Sequence, residues 1–223
     1  MPLPILTSII GAIAIVVGSL VGAFCTYRIN KNMHARQVKD EYALMIENRK
    51  YEEQYRAKDI CNNANVIRLD IATSLFQSIR SLKNTDENKK YLYLLPINKN
   101  YSQAVASLSD KYSLKELSYI YQLYGIIEKV NREIYNWSIG DNDSYEKVKL
   151  GFISILYKIY GDNYEKVLNV DADKISYREL YQNEYIKDSY KNFLEKLEEL
   201  CAIENILKER EEAINIKEYD VKK

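Results

Sequence analysis

Residues 3–24 read LPILTSIIGAIAIVVGSLVGAF, and this stretch decides how the rest of the chain is read. No Asp, Glu, Lys or Arg precedes Arg28, and the run is apolar apart from Thr7, Ser8 and Ser19. At about 1.5 Å of rise per residue, some 22 helical residues cover roughly 33 Å, the thickness of a bilayer's hydrocarbon core. After Arg28 the sequence is polar, or amphipathic at best. It therefore divides into a transmembrane anchor (1–27), a juxtamembrane stalk helix (28–60), a helical bundle (61–214) and a charged tail (215–223).

A cleaved secretory signal fits poorly. Met1-Pro2-Leu3-Pro4 offers no basic side chain, the apolar run is longer than a signal core, and the small-x-small options fall mid-span or include Phe24. Phe24 before Cys25 also spoils a lipoprotein site. The anchor is expected to be retained in the bilayer. Arg28, Lys31, Arg36 and Lys39 follow it with no acid before Asp40. The positive-inside bias then predicts a very short N-terminus outside the cell membrane and the remainder in the cytoplasm.

Within the anchor, Gly11, Ala14, Gly18 and Gly22 form one small-residue stripe, and Gly18-Ser-Leu-Val-Gly22 is a GxxxG. Small residues in that spacing let two membrane helices approach closely, so these four are the expected helix–helix association residues.

About 196 residues remain after Tyr27, enough for one domain with a core of its own. With 32 basic and 32 acidic residues, net charge is zero, and no long-range field favours nucleic acid. Gly (7) and Pro (3) are scarce, which argues for an all-α chain. The 21 tyrosines belong to a Lys/Asn/Ile/Tyr bias of the kind an AT-rich bacterial genome produces. Cys25, Cys61 and Cys201 are far apart without a CxxC, and are expected as free thiols in a reducing cytoplasm.

From Arg28 to Asp59 charges occur on all sides of a helical projection. A heptad through Leu44, Tyr51 and Tyr55 admits Glu41, Asn48 and Lys58 to its seam, too polar for a coiled coil. A solvated stalk is expected. Asn62-Asn63-Ala64-Asn65 is a candidate break. An amphipathic helix follows, with Leu69, Ala72, Phe76 and Ile79 on one face and Ile71, Leu75 and Leu82 beside them. A polar loop runs from Lys83 to Lys90, and Tyr91–Leu95 before Pro96 reads as a short buried helix.

Three helix starts recur: Ser113 with Glu116, Asp143 with Glu146, and Ser176 with Glu179. The first opens a helix over 114–136 with Leu117, Ile120, Tyr121, Tyr124, Ile127 and Ile134 inward. The second opens one over 145–160 with Val148, Phe152, Ile155, Leu156 and Ile159 inward, stopped by Gly161. The third begins a pattern from Tyr177 to Leu207, interrupted near Asp188. The architecture expected is an anchor, a stalk and a cytosolic bundle of about five helices.

Catalytic chemistry is sparse. His34 is the single histidine, six residues beyond Arg28. That R-x5-H spacing resembles the Arg/His pair of HEPN-type ribonucleases, which would imply cleavage of RNA. Here the pair sits at the membrane boundary without a second histidine, so no catalytic residue is assigned. Asp141-Asn142-Asp143 resembles the opening of a calcium loop, but Glu146 stands at the sixth position, where Gly is required. It reads as an Asx turn capping the next helix, and Asp171-Ala-Asp173 as a polar loop. Walker A, GxGxxG, HExxH and GxSxG patterns are missing from the sequence. Tyr and Lys interleave at 157–160 and 181–187, but with acids among them and at helical core spacing, so amphipathic tyrosines of the bundle are expected.

These features predict a membrane-bound interaction or scaffold module with no cofactor or metal. Its partners would be the bilayer and either another protein or further copies of itself. A pore-forming or membrane-perturbing effector assembled through the glycine stripe, as in a bacterial defence system, is the alternative.

Overall fold

The computed structural model describes residues 3–83, 92–138, 141–171 and 174–208, without the side chains of residues 3–7, 177 and 181. The loop at 84–90, Asp173 and the tail at 215–223 lie outside the described residues. Every described regular element is a helix: α1 (Leu3–Lys83), α2 (Tyr101–Ser107), α3 (Leu114–Asn136), α4 (Asn142–Tyr160), α5 (Tyr164–Leu168), α6 (Tyr177–Tyr181) and α7 (Asp188–Leu200). A 3₁₀ turn, Gly161–Asn163, joins α4 to α5, and residues 203–208 are again helical. The division into an anchor, a stalk and about five bundle helices is not what the described residues show. The reason is that anchor, stalk and first bundle helix are segments of one helix, while α2, α5 and α6 are one or two turns each.

Two units divide the chain, Met1–Gln54 and Tyr55–Lys223. The first is the leading part of α1. Every described side chain from Ser8 to Glu52 is exposed, and the apolar stretch is long enough to cross a membrane.

The second unit holds the core. Ala57, Ile60, Ala64, Ile67, Ile71, Leu75 and Ile79 recur at intervals of three and four along α1 and are at most 2% exposed. The buried stripe therefore begins before Cys61. It also runs beside the face expected from Leu69, which is 57% exposed. Asn62–Asn65 does not break α1. The asparagine side chains are satisfied without breaking the helix: Asn63 Nδ2 donates to Ser107 Oγ at 2.8 Å, and Asn65 Nδ2 donates both to the Cys61 carbonyl one turn back at 2.9 Å and to the Cys201 carbonyl at 3.0 Å.

Helices α3 and α4 pack along one another, with Gly151 against Val130. Ser113 and Glu116 close the capping box of α3, and Ser176 and Glu179 that of α6. Within α3, Ile120, Tyr124, Ile127 and Ile134 are buried, whereas Leu117 is half-buried and Tyr121 is exposed beside Tyr101. Helix α4 begins three residues before 145, because the cap is Asp141, whose Oδ1 accepts from the Asp143 and Ser144 amides. Val148, Phe152, Ile155, Leu156 and Ile159 are buried as expected, and Gly161 ends the helix at φ 61°, the left-handed region that favours glycine. The pattern from Tyr177 breaks over 182–187 before α7 buries Tyr190, Phe193, Leu194, Leu197 and Leu200.

Residues 92–98 form no helix, contrary to the reading of 91–95. Tyr91 is outside the described residues, Tyr93 and Leu94 are exposed, and of the segment only Leu95 is fully buried. Its backbone is paired by a side chain rather than by a helical turn, as described next.

Candidate functional site

Gly11, Ala14, Gly18 and Gly22 are exposed on α1, and a Cβ added at any of the three glycines would meet nothing within 4 Å. Ser19 Oγ donates to the Val16 carbonyl at 2.9 Å, and Thr26 Oγ1 to that of Gly22 at 2.8 Å. Polar side chains folded onto their own helix in this way need no water, as an apolar medium requires. Arg28, Lys31, Arg36 and Lys39 follow on the same helix, exposed and without ion pairs among the described residues. Arg28 and His34 are both exposed, and at about 100° per residue a six-residue separation points them roughly 120° apart. They do not converge as a ribonuclease pair would.

In the second unit the structure assembles a polar network that pattern alone did not reveal. Asp70 of α1 is 7% exposed among apolar neighbours. Its Oδ2 accepts from the Tyr124 hydroxyl and from the Asn98 amide, each at 2.9 Å. Burial pushes the Asp70 carboxyl above its ordinary range, and those two hydrogen bonds pull it partly back. Burial and the neighbouring Asp70 carboxylate likewise raise the Tyr124 hydroxyl. Tyr101 stacks on Tyr124 with ring centroids 4.1 Å apart.

About two helical turns further along α3, Asn131 serves the same segment. Its Oδ1 accepts from the Leu95 amide at 2.7 Å and its Nδ2 donates to the Leu95 carbonyl at 2.9 Å. The side-chain amide thus does for Leu95 what a neighbouring strand would do. Asp70 and Asn131 together fix residues 95–98 to α1 and α3. The available sequence signal was a polar residue interrupting each apolar stripe: Asp70 beside Ile67 and Ile71, and Asn131 between Ile127 and Ile134.

Two of the three cysteines, distant in sequence, lie together. Cys61 Sγ donates to the Cys201 carbonyl at 3.1 Å, and Asn65 joins the same oxygen. Arg68 closes the cluster with Glu198 at 2.8 Å. Burial pushes the Cys201 thiol up to about 11, so it stays protonated and weakly nucleophilic at neutral pH.

Several tyrosines act as core side chains with polar ends. Tyr160 donates to the Leu180 carbonyl, and Tyr112 approaches that of Phe193 at 3.4 Å. Among the described residues no three His, Cys, Asp or Glu side chains converge as a metal site. Comparison with known proteins finds no matching family model, no similar curated protein and no similar solved structure.

Proposed function

We propose that this chain is a single-pass membrane protein whose helical bundle acts as an interaction module on the cytoplasmic face. The observation that carries the reading is α1 itself. One helix exposes a surface that is apolar but for Ser19 from Ile9 to Phe24 and, further along, buries Ala57 to Ile79 in the bundle core. Exposed apolar side chains along that many turns are costly in water and favourable in lipid, at about 25 cal/mol per Å² removed from water. Arg28, Lys31, Arg36 and Lys39 support the cytoplasmic placement of the bundle. Alkaline carbonate extraction of membranes tests the anchor: the full-length chain stays with the lipid, and release into the supernatant rejects this reading.

The open glycine face favours a second reading, in which copies of the span associate and the bundle regulates the assembly. Replacing Gly18 and Gly22 together by Ile puts branched side chains where the backbones would meet. Crosslinking in membranes should then fall to background. Equal crosslinking by wild type and variant removes this face as an assembly site.

A further inference from the structure

The segment held by Asp70 and Asn131 forms one wall of a cleft of about 590 Å³ against α3, within the range of small-molecule sites. We infer that this cleft binds a small aromatic monoanion, its ring between the Tyr101 and Tyr135 side and the Leu94–Ile97 side, its charge at Lys99 and Arg132.

The wall is preformed. Leu95 and Asn98 are tied down through their backbones at 2.7–2.9 Å, and Tyr101 is stacked on the buried Tyr124, so little ordering is left for binding to cost. Part of its lining stays open to solvent: Tyr135 is 74% exposed and Leu94 43% exposed, both lining the cleft. Charge complementarity sets the sign. Lys99 and Arg132 line the cleft and form no ion pair or hydrogen bond among the described residues. The single carboxylate among the described lining residues, Glu128, lies beside the Tyr101 hydroxyl. Two cations and one carboxylate leave a net charge that one anionic group balances, and a planar guanidinium suits a carboxylate in bidentate contact. The remaining surface offers tyrosine rings and aliphatic side chains, which suit an aromatic body.

The test uses 2-naphthoate as the probe and its neutral counterpart 2-naphthamide, titrated calorimetrically into the full-length chain in nanodiscs, with empty nanodiscs subtracted. Naphthoate is expected to bind saturably with one site per chain, at least tenfold more tightly than naphthamide. Replacing Lys99 and Arg132 together by Gln should abolish that preference and leave naphthamide binding unchanged, while Tyr135→Ala should weaken both probes. These three positions are exposed at the rim or surface, so the variants are expected to keep the wild-type circular dichroism spectrum. Absence of saturable naphthoate binding, equal affinity for the two probes, or a preference that survives the Gln substitutions would overturn the assignment.

Discussion

Substituting Asn131 by Ala removes the side chain that serves both backbone groups of Leu95. Leu95 is 2% exposed and Asn131 9% exposed, so water does not readily replace the lost partner. Each buried group left unpaired costs about 1–3 kcal/mol, giving about 2–6 kcal/mol for the pair. Alanine's better helix propensity returns about 0.5 kcal/mol. The net expectation is a loss of about 2–5 kcal/mol. At about 2–4 °C per kcal/mol for a domain of this size, the melting temperature falls by about 4–20 °C. Trp137, the one tryptophan, is half-buried against the core just beyond the end of α3, and its fluorescence follows unfolding of the bundle independently of the apolar part of α1. Gln122→Ala, exposed on the same helix, serves as the control and should stay within about 0.5 kcal/mol of wild type. A loss below about 1 kcal/mol for Asn131→Ala would refute the claim that this amide holds the 92–98 segment.

Asp70→Asn keeps an acceptor for Tyr124 and Asn98 but removes the buried charge. Because the folded-state pKa is raised above 3.8, the unfolded chain binds fewer protons between the two values, and wild type loses stability as pH rises through that interval. The stability of the variant relative to wild type should therefore grow from about pH 4 upward and level off above the folded-state pKa; a difference that shrinks with rising pH contradicts the assignment. Gly151→Ala would place a Cβ 2.7 Å from Val130 Cγ2, in a fully buried and stiff side chain. Overpacking of about 1–3 kcal/mol should outweigh the gain in helix propensity, and the same change in a Val130→Ala background should lose that cost, as denaturant titration of the double-mutant cycle will show. Tyr190→Phe removes a buried hydroxyl that has no hydrogen-bond partner, and leaves the ring stacked 4.8 Å from Tyr119. Its melting temperature should equal or exceed that of wild type.

What the sequence revealed was local. Ser113 with Glu116 and Ser176 with Glu179 announce helix starts because donor and acceptor lie three residues apart in the chain. Gly161 announces a stop because its φ of 61° is a property of one residue. What stayed hidden was decided by distant partners. Tyr91–Leu95 has the composition of a buried helix, yet Leu95 takes its hydrogen bonds from Asn131, 36 positions away. The asparagines at 62–65 have the composition of a break, yet Ser107 satisfies Asn63 from another element, and Asn65 is shared between Cys201 and the Cys61 carbonyl of its own helix. Asp143 with Glu146 has the spacing of a capping box, but Asp141 had already begun the helix. The candidate network was hidden for the same reason. Asp70, Asn98 and Tyr124 are separated by at least 26 residues, and only packing of α1 against α3 brings them together.

The central proposal, that the apolar part of α1 lies within a bilayer, is tested most directly by thiol accessibility. In a background with Cys25, Cys61 and Cys201 replaced by Ser, Val16→Cys and Met45→Cys place single thiols on the same exposed helix, one inside the expected span and one beyond it. In inside-out membrane vesicles, which present the cytoplasmic face to the medium, a water-soluble maleimide should label the Met45→Cys variant readily and the Val16→Cys variant only after detergent is added. Equal labelling of both variants before detergent would contradict a membrane-embedded helix.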